Sequence, residues 1–177
     1  VGLCLFCISN VILAASDIST TFWAIAILIV LGRIGLAFMT PSMMSVALST
    51  VPAEKIGEAS AIVNFMMLFG GAIGINALVV LLDQRTQIHS EAFTATQTSA
   101  NPITLELLDN VARVLGEEGF PELLRSPVAL NYLGDMVHAQ ANTFGFQDAF
   151  LAIAIVAFIG FIPATILHIS NRRSRKM

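Results

Sequence analysis

A single arginine lies deep in the second long apolar run of the sequence. Arg33 is the only charged residue between Phe22 and Thr50, about eleven residues into that run. A guanidinium near the centre of a membrane helix costs about 2.5–3.5 kcal/mol on insertion scales, so it is expected to face protein or a water-filled cavity. Arg33 is therefore a candidate for a substrate or proton pathway. The alternative is a structural arginine that bonds to helix carbonyls or to a carboxylate on another helix.

Two asparagines are the other polar candidates in the apolar runs. Asn64 and Asn76 lie twelve residues apart in the third run. At about 100° of rotation per residue, their side chains point about 120° apart on a helix. Either amide suits the lining of a polar cavity on the substrate or proton pathway, and either could instead bond to a neighbouring helix.

The histidines and cysteines show no metal-ligand spacing. His89, His138 and His168 are scattered, and the Cys4–Cys7 pair has neither a second cysteine pair nor a nearby histidine to complete a site. No nucleophile elbow, phosphate loop or paired carboxylate occurs. The sequence therefore predicts no metal site, no cofactor and no enzymatic activity.

The composition indicates a membrane protein. Hydrophobic residues make up 56% of the chain and charged residues 12%, against about 45–50% and about 25% in soluble domains. Three windows, 22–50, 59–82 and 149–169, are almost free of charge. About 20 helical residues cross a hydrocarbon core about 30 Å thick, so each window is long enough. We expect an all-α membrane protein.

The predicted organisation follows from these windows. The run 1–15 is interpreted as a truncated transmembrane helix, because it is too short to cross comfortably. Within the long polar segment, Asn101-Pro102 and Ser126-Pro127 are typical helix starts, which predicts two short amphipathic helices. The segments in order are a truncated transmembrane helix (1–15), transmembrane helices (22–50 and 58–82), an external loop with the amphipathic helices (83–146), a transmembrane helix (147–170) and a basic tail (171–177).

The charge distribution predicts the orientation. The tail carries Arg172, Arg173, Arg175 and Lys176, and such flanks are typical of the cytoplasmic side. The segment 83–148 holds nine acids and three arginines, which places it on the external side. A nucleic-acid role for the tail is rejected because the tail adjoins a membrane helix, where it is expected to contact anionic lipid headgroups.

Small residues and one proline indicate how the helices pack. Gly70 and Gly74 form a G-x-x-x-G pair that Gly71 widens, so another helix backbone could approach closely there. Pro41 removes one backbone donor from the second helix and is expected to bend or loosen it, with the hydroxyls of Thr40 and Ser42 available for the freed groups.

Three stretches in order carry a family resemblance. They are Gly32-Arg33-Ile34-Gly35 with Thr40-Pro41, then Gly57-Glu58-Ala59-Ser60 with Asn64 and Gly70-Gly71-Ala72-Ile73-Gly74, and last Gln84-Arg85 with His89, His138-Ala139-Gln140-Ala141 and Phe146-Gln147-Asp148-Ala149-Phe150. The chain resembles the 14-helix drug:proton antiporters of the major facilitator superfamily, EmrB/QacA type. Met67 stands where the family often has an arginine, so substrate range and coupling details do not carry over.

The resemblance implies that the chain forms the last four of fourteen helices in the C-terminal bundle. It implies export of amphipathic drugs or toxic compounds driven by proton influx, by alternating access at the bacterial inner membrane. The proton-coupling acids would lie in the missing N-terminal part, and Gram-negative relatives work with a periplasmic adaptor and an outer-membrane channel. The sequence leaves open a small multi-helix membrane scaffold or assembly subunit without transport activity, and a transporter with a different cargo.

Overall fold

The computed structural model describes residues 2–49, 51–163 and 165, and all regular structure within them is helical. The helices are α1 (Gly2–Ala14), α2 (Phe22–Leu48), α3 (Ile56–Thr96), α4 (Pro102–Glu117) and α5 (Glu122–Ile159), with a 3₁₀ turn at Ala53–Lys55. Three helical stretches, Phe22–Leu48, Ala53–Thr96 and Glu122–Pro163, are long and apolar enough to cross a bilayer, and α1 is a shorter apolar helix. The chain is an all-helical membrane protein, as predicted. The basic tail 171–177 lies outside the described residues.

The helices belong to two compact units. The first contains the described residues up to Val80 and those from Gln147 onward, and the second is Leu81–Phe146. Helices α3 and α5 each contribute to both units. Each unit has its own packing.

In the first unit, α1 and α2 pack closely through small residues. A Cβ added to Gly35 would lie 2.7 Å from the carbonyl oxygen of Gly2, and one added to Gly32 would lie 3.0 Å from Ser9 Oγ. Ser9 is 1% exposed, and its hydroxyl donates to the Leu28 carbonyl at 2.5 Å. Because glycine has no side chain, the two helix backbones approach closely at this contact, and the Ser9 hydroxyl bonds across the interface.

The connection between α1 and α2 is a hydrogen-bonded turn. Asp17 Oδ1 accepts from the backbone N–H of Ser19 at 3.0 Å, from Ser19 Oγ at 2.7 Å and from Thr20 Oγ1 at 3.1 Å. Gln147 Nε2 of α5 donates to the Ser16 carbonyl just before this turn, at 2.6 Å. The turn is thus stabilised by hydrogen bonds from its own side chains, and the residue before it is hydrogen-bonded to α5.

The apolar part of α3 is largely exposed in the described structure. No residue of α3 is buried, and Phe65, Leu68 and Ile75 are 61%, 76% and 67% exposed. Burying apolar surface is worth about 25 cal/mol per Å², so such a helix requires lipid or further helices around it. This is the behaviour expected of a membrane helix.

The second unit contains the polar continuation of α3, helix α4 and the first half of α5. Leu82, Thr86, His89 and Phe93 of α3 are half-buried at helical spacing. The ring of Phe144 on α5 lies 5.4 Å from His89 and 5.5 Å from Phe93, between centroids. An aromatic cluster of this kind fixes the position of one helix against the other.

Local hydrogen bonds define both ends of α4. Asn101 caps the helix by accepting from the Ile103 N–H at 3.1 Å, and Pro102 occupies the first turn, as the sequence predicts. After α4 the chain reverses at Gly119, which has φ of 82°, a conformation that favours glycine. Arg125 Nε donates to the Phe120 carbonyl at 2.9 Å, which links the turn to α5.

Two helices extend beyond the windows that the sequence predicts. The predicted helix 58–82 is part of α3, which continues to Thr96, and the predicted helix 147–170 is preceded by helical residues from Glu122. The second amphipathic helix, expected to open at Ser126-Pro127, is therefore the start of α5, with Pro127 inside it. An apolar window marks where a helix can lie in lipid, whereas hydrogen bonding continues until a cap or breaker. Residues 83–96 contain neither glycine nor proline.

Candidate functional site

Arg33 lies on the side of α2 turned away from α1. Gly32 and Gly35 face α1, and at about 100° per residue Arg33 points well away from that contact. Its side chain is exposed. Since an exposed guanidinium in the middle of an apolar helix is costly in lipid, this face of α2 requires protein or water around it. The structure therefore leaves Arg33 accessible for a ligand or for another helix.

Asn76 lies in a shallow apolar groove along one face of α3. Its Nδ2 donates to the Ala72 carbonyl one turn earlier, at 2.8 Å. An asparagine amide has two donors and an acceptor oxygen, so the bond uses only part of its capacity. The residues that line the groove are Phe69, Ala72, Ile73, Asn76, Ala77 and Val80. An apolar surface with one amide can hold an amphipathic molecule or another helix.

Asn64 lies on a different face of the same helix. It precedes Gly71 by seven residues, which is about 20° short of two full turns, so it points in nearly the same direction as Gly71. Its side chain is exposed. Within the described part of the chain, no hydrogen bond or ion pair joins Arg33, Asn64 and Asn76 to one another. The structure does not gather the three predicted pathway residues into one site.

The glycines of α3 and those of α2 have different surroundings. A Cβ added to Gly70, Gly71 or Gly74 would meet nothing within 4 Å among the described residues, so the packing role of these glycines stays a prediction. The close backbone contact observed in this chain is instead at Gly32 and Gly35. The signal in the sequence was the spacing of these two glycines together with Gly2 and Ser9, small residues in the neighbouring apolar run.

Pro41 lies inside α2 without ending the helix. It lacks the N–H that would bond to the Ala37 carbonyl four residues earlier. Thr40 Oγ1 donates to the Leu36 carbonyl at 3.1 Å and Ser42 Oγ donates to the Phe38 carbonyl at 2.9 Å. The two hydroxyls therefore donate to the carbonyls on either side of Ala37. From the sequence we expect them to bond to the groups that Pro41 frees, but the Ala37 carbonyl is not their acceptor.

The remaining titratable and thiol groups occupy separate places. His89 belongs to the aromatic cluster of the second unit, His138 lines a polar groove there, and His168 lies outside the described residues. Cys4 and Cys7 are free thiols. In the part of the chain that the structure describes, no three His, Cys, Asp or Glu side chains are grouped so that they could hold a metal ion.

Sequence reasoning missed two residues that position these helices. Buried Ser9 joins α1 to α2, and Gln147 joins α5 to the Asp17 turn. Gln147 belongs to one of the stretches that carry the family resemblance, but its partner is 131 residues away in the chain. No local pattern could have identified that partner.

The sequence is similar to the colistin resistance protein EmrB of Acinetobacter baumannii. The two are 32% identical over 126 residues, which is 71% of this chain and 24% of that protein. The matched segment thus spans about a quarter of the length of that relative. No protein-family model matches the sequence, and no solved structure matches it. The named relative is an EmrB protein, and the three stretches described above resemble EmrB-type proteins as well.

Proposed function

We propose that this chain is the C-terminal part of a proton-driven efflux transporter that exports amphipathic drugs or toxic compounds by alternating access. The observation that carries the proposal is the 32% identity to the A. baumannii colistin resistance protein over most of this chain. The three apolar helices with unpartnered faces support it, because they require lipid and further helices around them.

The polar residues of α2 and α3 have defined roles in this proposal. Arg33 faces the water-filled pathway, where its charge stays solvated or meets a carboxylate of the missing N-terminal part. Asn76 offers one amide within an apolar groove, which suits a cargo that is largely apolar with a few polar groups. Asn64 and the glycines Gly70, Gly71 and Gly74 contact a neighbouring helix of the C-terminal bundle.

The proposed setting is the bacterial inner membrane, with the C-terminus in the cytoplasm. It rests on the basic residues 172–176 and on the enrichment of Lys and Arg on cytoplasmic flanks. Residues 83–146 then lie outside the cell membrane, where a periplasmic adaptor leading to an outer-membrane channel could reach them. Protons and small amphipathic molecules are the transported partners, with no role for nucleic acid.

The test uses the complete product of the reading frame that contains this sequence, expressed in efflux-deficient bacteria. We expect lower accumulation of a fluorescent amphipathic cation such as ethidium, and a raised minimal inhibitory concentration of colistin. Collapse of the proton gradient with an ionophore should abolish the export. Export that continues after the gradient has collapsed would contradict proton coupling, and unchanged accumulation on expression would contradict efflux.

Arg33 is tested in the same cells. Arg33→Ala should reduce export at unchanged protein level in the membrane, and Arg33→Lys should retain part of it, because lysine keeps the charge but loses the planar donor group. The matched control is Ser42→Ala, which removes a hydroxyl that donates to the Phe38 carbonyl within α2. Full export by the Arg33→Ala variant would remove Arg33 from the pathway.

A further inference from the structure

Three large apolar side chains lie exposed where α2 begins. Ile18 of the preceding turn is 65% exposed, and Phe22 and Trp23 in the first turn of α2 are 73% and 71% exposed. The two rings pack edge to face, with 5.7 Å between their centroids. We call Ile18, Phe22 and Trp23 the entry patch. A group of neighbouring exposed apolar side chains marks a surface for contact with lipid or protein.

The length of α2 indicates where its first turn lies. The helix has 27 residues, so it is about 40 Å long at about 1.5 Å per residue. A bilayer has a hydrocarbon core about 30 Å thick and measures about 40–45 Å with its headgroup regions. A helix of this length that crosses the bilayer therefore has its first turn in a headgroup region. The exposed apolar surface continues from the patch along α2, at Ile27 and Val30, and so joins the part of the helix that crosses the core.

The polar groups of the turn before α2 bond to one another. Besides the three bonds to Asp17 Oδ1, the Asp17 N–H donates to Thr20 Oγ1 at 2.9 Å and the Thr20 N–H donates to the Asp17 carbonyl at 3.0 Å. Polar groups that are bonded internally lose less free energy when the water around them becomes scarce. The turn is therefore suited to the headgroup region, where water is less abundant than in bulk solvent.

The chemistry of the patch favours lipid as its partner. Residues 15–23 hold one acid, Asp17, and no lysine, arginine or histidine, so the turn does not attract anionic headgroups by charge. Tryptophan is enriched at membrane interfaces because its ring is apolar and its indole N–H is polar. Within the described part of the chain the indole N–H of Trp23 has no acceptor. An exposed ring with a free donor matches the boundary between the acyl chains and the ester groups of a lipid.

We propose that the entry patch binds the headgroup region of the bilayer and anchors α2 there. Ile18 and the ring of Phe22 contact the upper acyl chains, and the Trp23 indole N–H donates to an ester or phosphate oxygen of a glycerophospholipid. Arg33, ten residues after Trp23, is then held about 15 Å deeper along the helix, near the middle of the core. This contact with lipid is a property of the turn and goes beyond the proposed export.

The experiment measures the depth of the turn in the complete protein by electron paramagnetic resonance. The protein is reconstituted in vesicles of phosphatidylethanolamine and phosphatidylglycerol, with its natural cysteines, including Cys4 and Cys7, replaced by serine. A nitroxide is attached at Ile18→Cys or Phe22→Cys, and its collisions are measured with oxygen, which concentrates in the acyl chains, and with a nickel chelate, which stays in water. The ratio of oxygen to nickel collisions should be several-fold higher at both positions than at Glu118→Cys, an exposed acid at the α4–α5 turn.

Two results of this measurement would overturn the proposal. A ratio at positions 18 and 22 equal to that at position 118 would place the turn in water. Rare collisions with both reagents would show that another part of the complete protein covers the patch in place of lipid.

A matched pair of variants tests whether the patch acts as an anchor. With the nitroxide at position 18, Trp23→Ala should lower the ratio towards its value at position 118, because the largest lipid contact is lost. Ile103→Ala removes an apolar side chain of the second unit that is similarly exposed, at 76%, and should leave the ratio unchanged. No effect of Trp23→Ala, or an equal effect of both substitutions, would overturn the anchoring role. Thermal unfolding in detergent should show the natural stability for both variants, because both side chains are exposed.

The depth measurement also separates this contact from the efflux proposal. If the turn lies in the headgroup region but the protein does not export amphipathic compounds, the lipid contact stands and the transport function fails. If the protein exports them while positions 18 and 22 lie in water or under protein, the lipid contact fails alone.

Discussion

The backbones of Gly2 and Gly35 are in direct contact across the α1–α2 interface. A Cβ on Gly35 would lie 2.7 Å from the Gly2 carbonyl oxygen and 2.9 Å from the backbone nitrogen of Phe6, and one on Gly2 would lie 2.5 Å from the Gly35 carbonyl oxygen. These neighbours are backbone atoms, which cannot rotate away as a long side chain could. The interface therefore tolerates only glycine at both positions.

Gly35→Ala is accordingly expected to lower the stability of the complete protein. The new methyl group forces α1 and α2 apart, and overpacking of this kind costs about 1–3 kcal/mol. Thermal unfolding in detergent measures the loss. Gly134→Ala is the control, because a Cβ there would meet nothing within 4 Å in the described residues. A Gly35→Ala protein as stable as the natural one would contradict the close contact.

The open glycines of α3 give a second prediction. If another helix of the complete protein packs against Gly70 and Gly74, the side chain added by Gly74→Leu should clash with that helix and lower the unfolding temperature by several degrees. No described residue lies near enough to Gly74 to cause such a clash itself. Val79→Leu, at an exposed position on another face, is the control and should have little effect. An unchanged unfolding temperature for Gly74→Leu would indicate that this face contacts lipid.

Thr86 and Gly145 predict a coupled pair of substitutions in the second unit. A Cβ on Gly145 would collide with Thr86 Oγ1, and this buried oxygen has no hydrogen-bond partner among the described residues. Gly145→Ala should therefore destabilise by about 1–3 kcal/mol. Thr86→Ala should be nearly neutral, since it removes an unsatisfied hydroxyl.

The double variant tests that contact. Thr86→Ala/Gly145→Ala should recover much of the loss, since the nearest remaining atoms lie at 3.2 and 3.3 Å, and the interaction energy in the double-mutant cycle should be about 0.5–3 kcal/mol. Chemical denaturation of the four proteins gives the cycle. Simple additivity of the two single changes would contradict the predicted collision.

The Asp17 turn predicts a pH dependence. Hydrogen bonds from the side chains of Ser19 and Thr20 hold the pKa of Asp17 below its ordinary value, because they favour the carboxylate. With the pKa lower in the folded protein, the stabilisation is present above the unfolded pKa of about 3.9 and is lost as the pH falls through the folded value.

Removing one of those donors tests the turn. Ser19→Ala should raise the pKa of Asp17 towards its ordinary value, measured by an NMR titration of the side-chain carboxyl carbon. Ser49→Ala is the control, because that hydroxyl bonds to the Val46 carbonyl, away from the turn. The same pKa in all three proteins would show that the hydroxyl bonds do not act on Asp17.

The sequence by itself determined that this is an all-helical membrane protein and where its apolar windows lie. That result follows from composition and run length, since lipid accepts only segments whose backbone polar groups are bonded internally. The cap at Asn101 was also readable, because a cap depends on neighbours in the chain. Arg33, Asn64 and Asn76 could be chosen as candidates from their polarity alone.

Only the tertiary structure decided which small residues make contact and how far the helices extend. Glycine-rich spacing is present in both α2 and α3, but in the described residues only Gly32 and Gly35 meet a partner, because that partner is a separate stretch of chain. The bond from Gln147 to Ser16 likewise joins residues far apart in sequence, and so do the contacts of His89 and Phe93 with Phe144. Local patterns specify helices, whereas contacts between helices are fixed by packing across long chain separations.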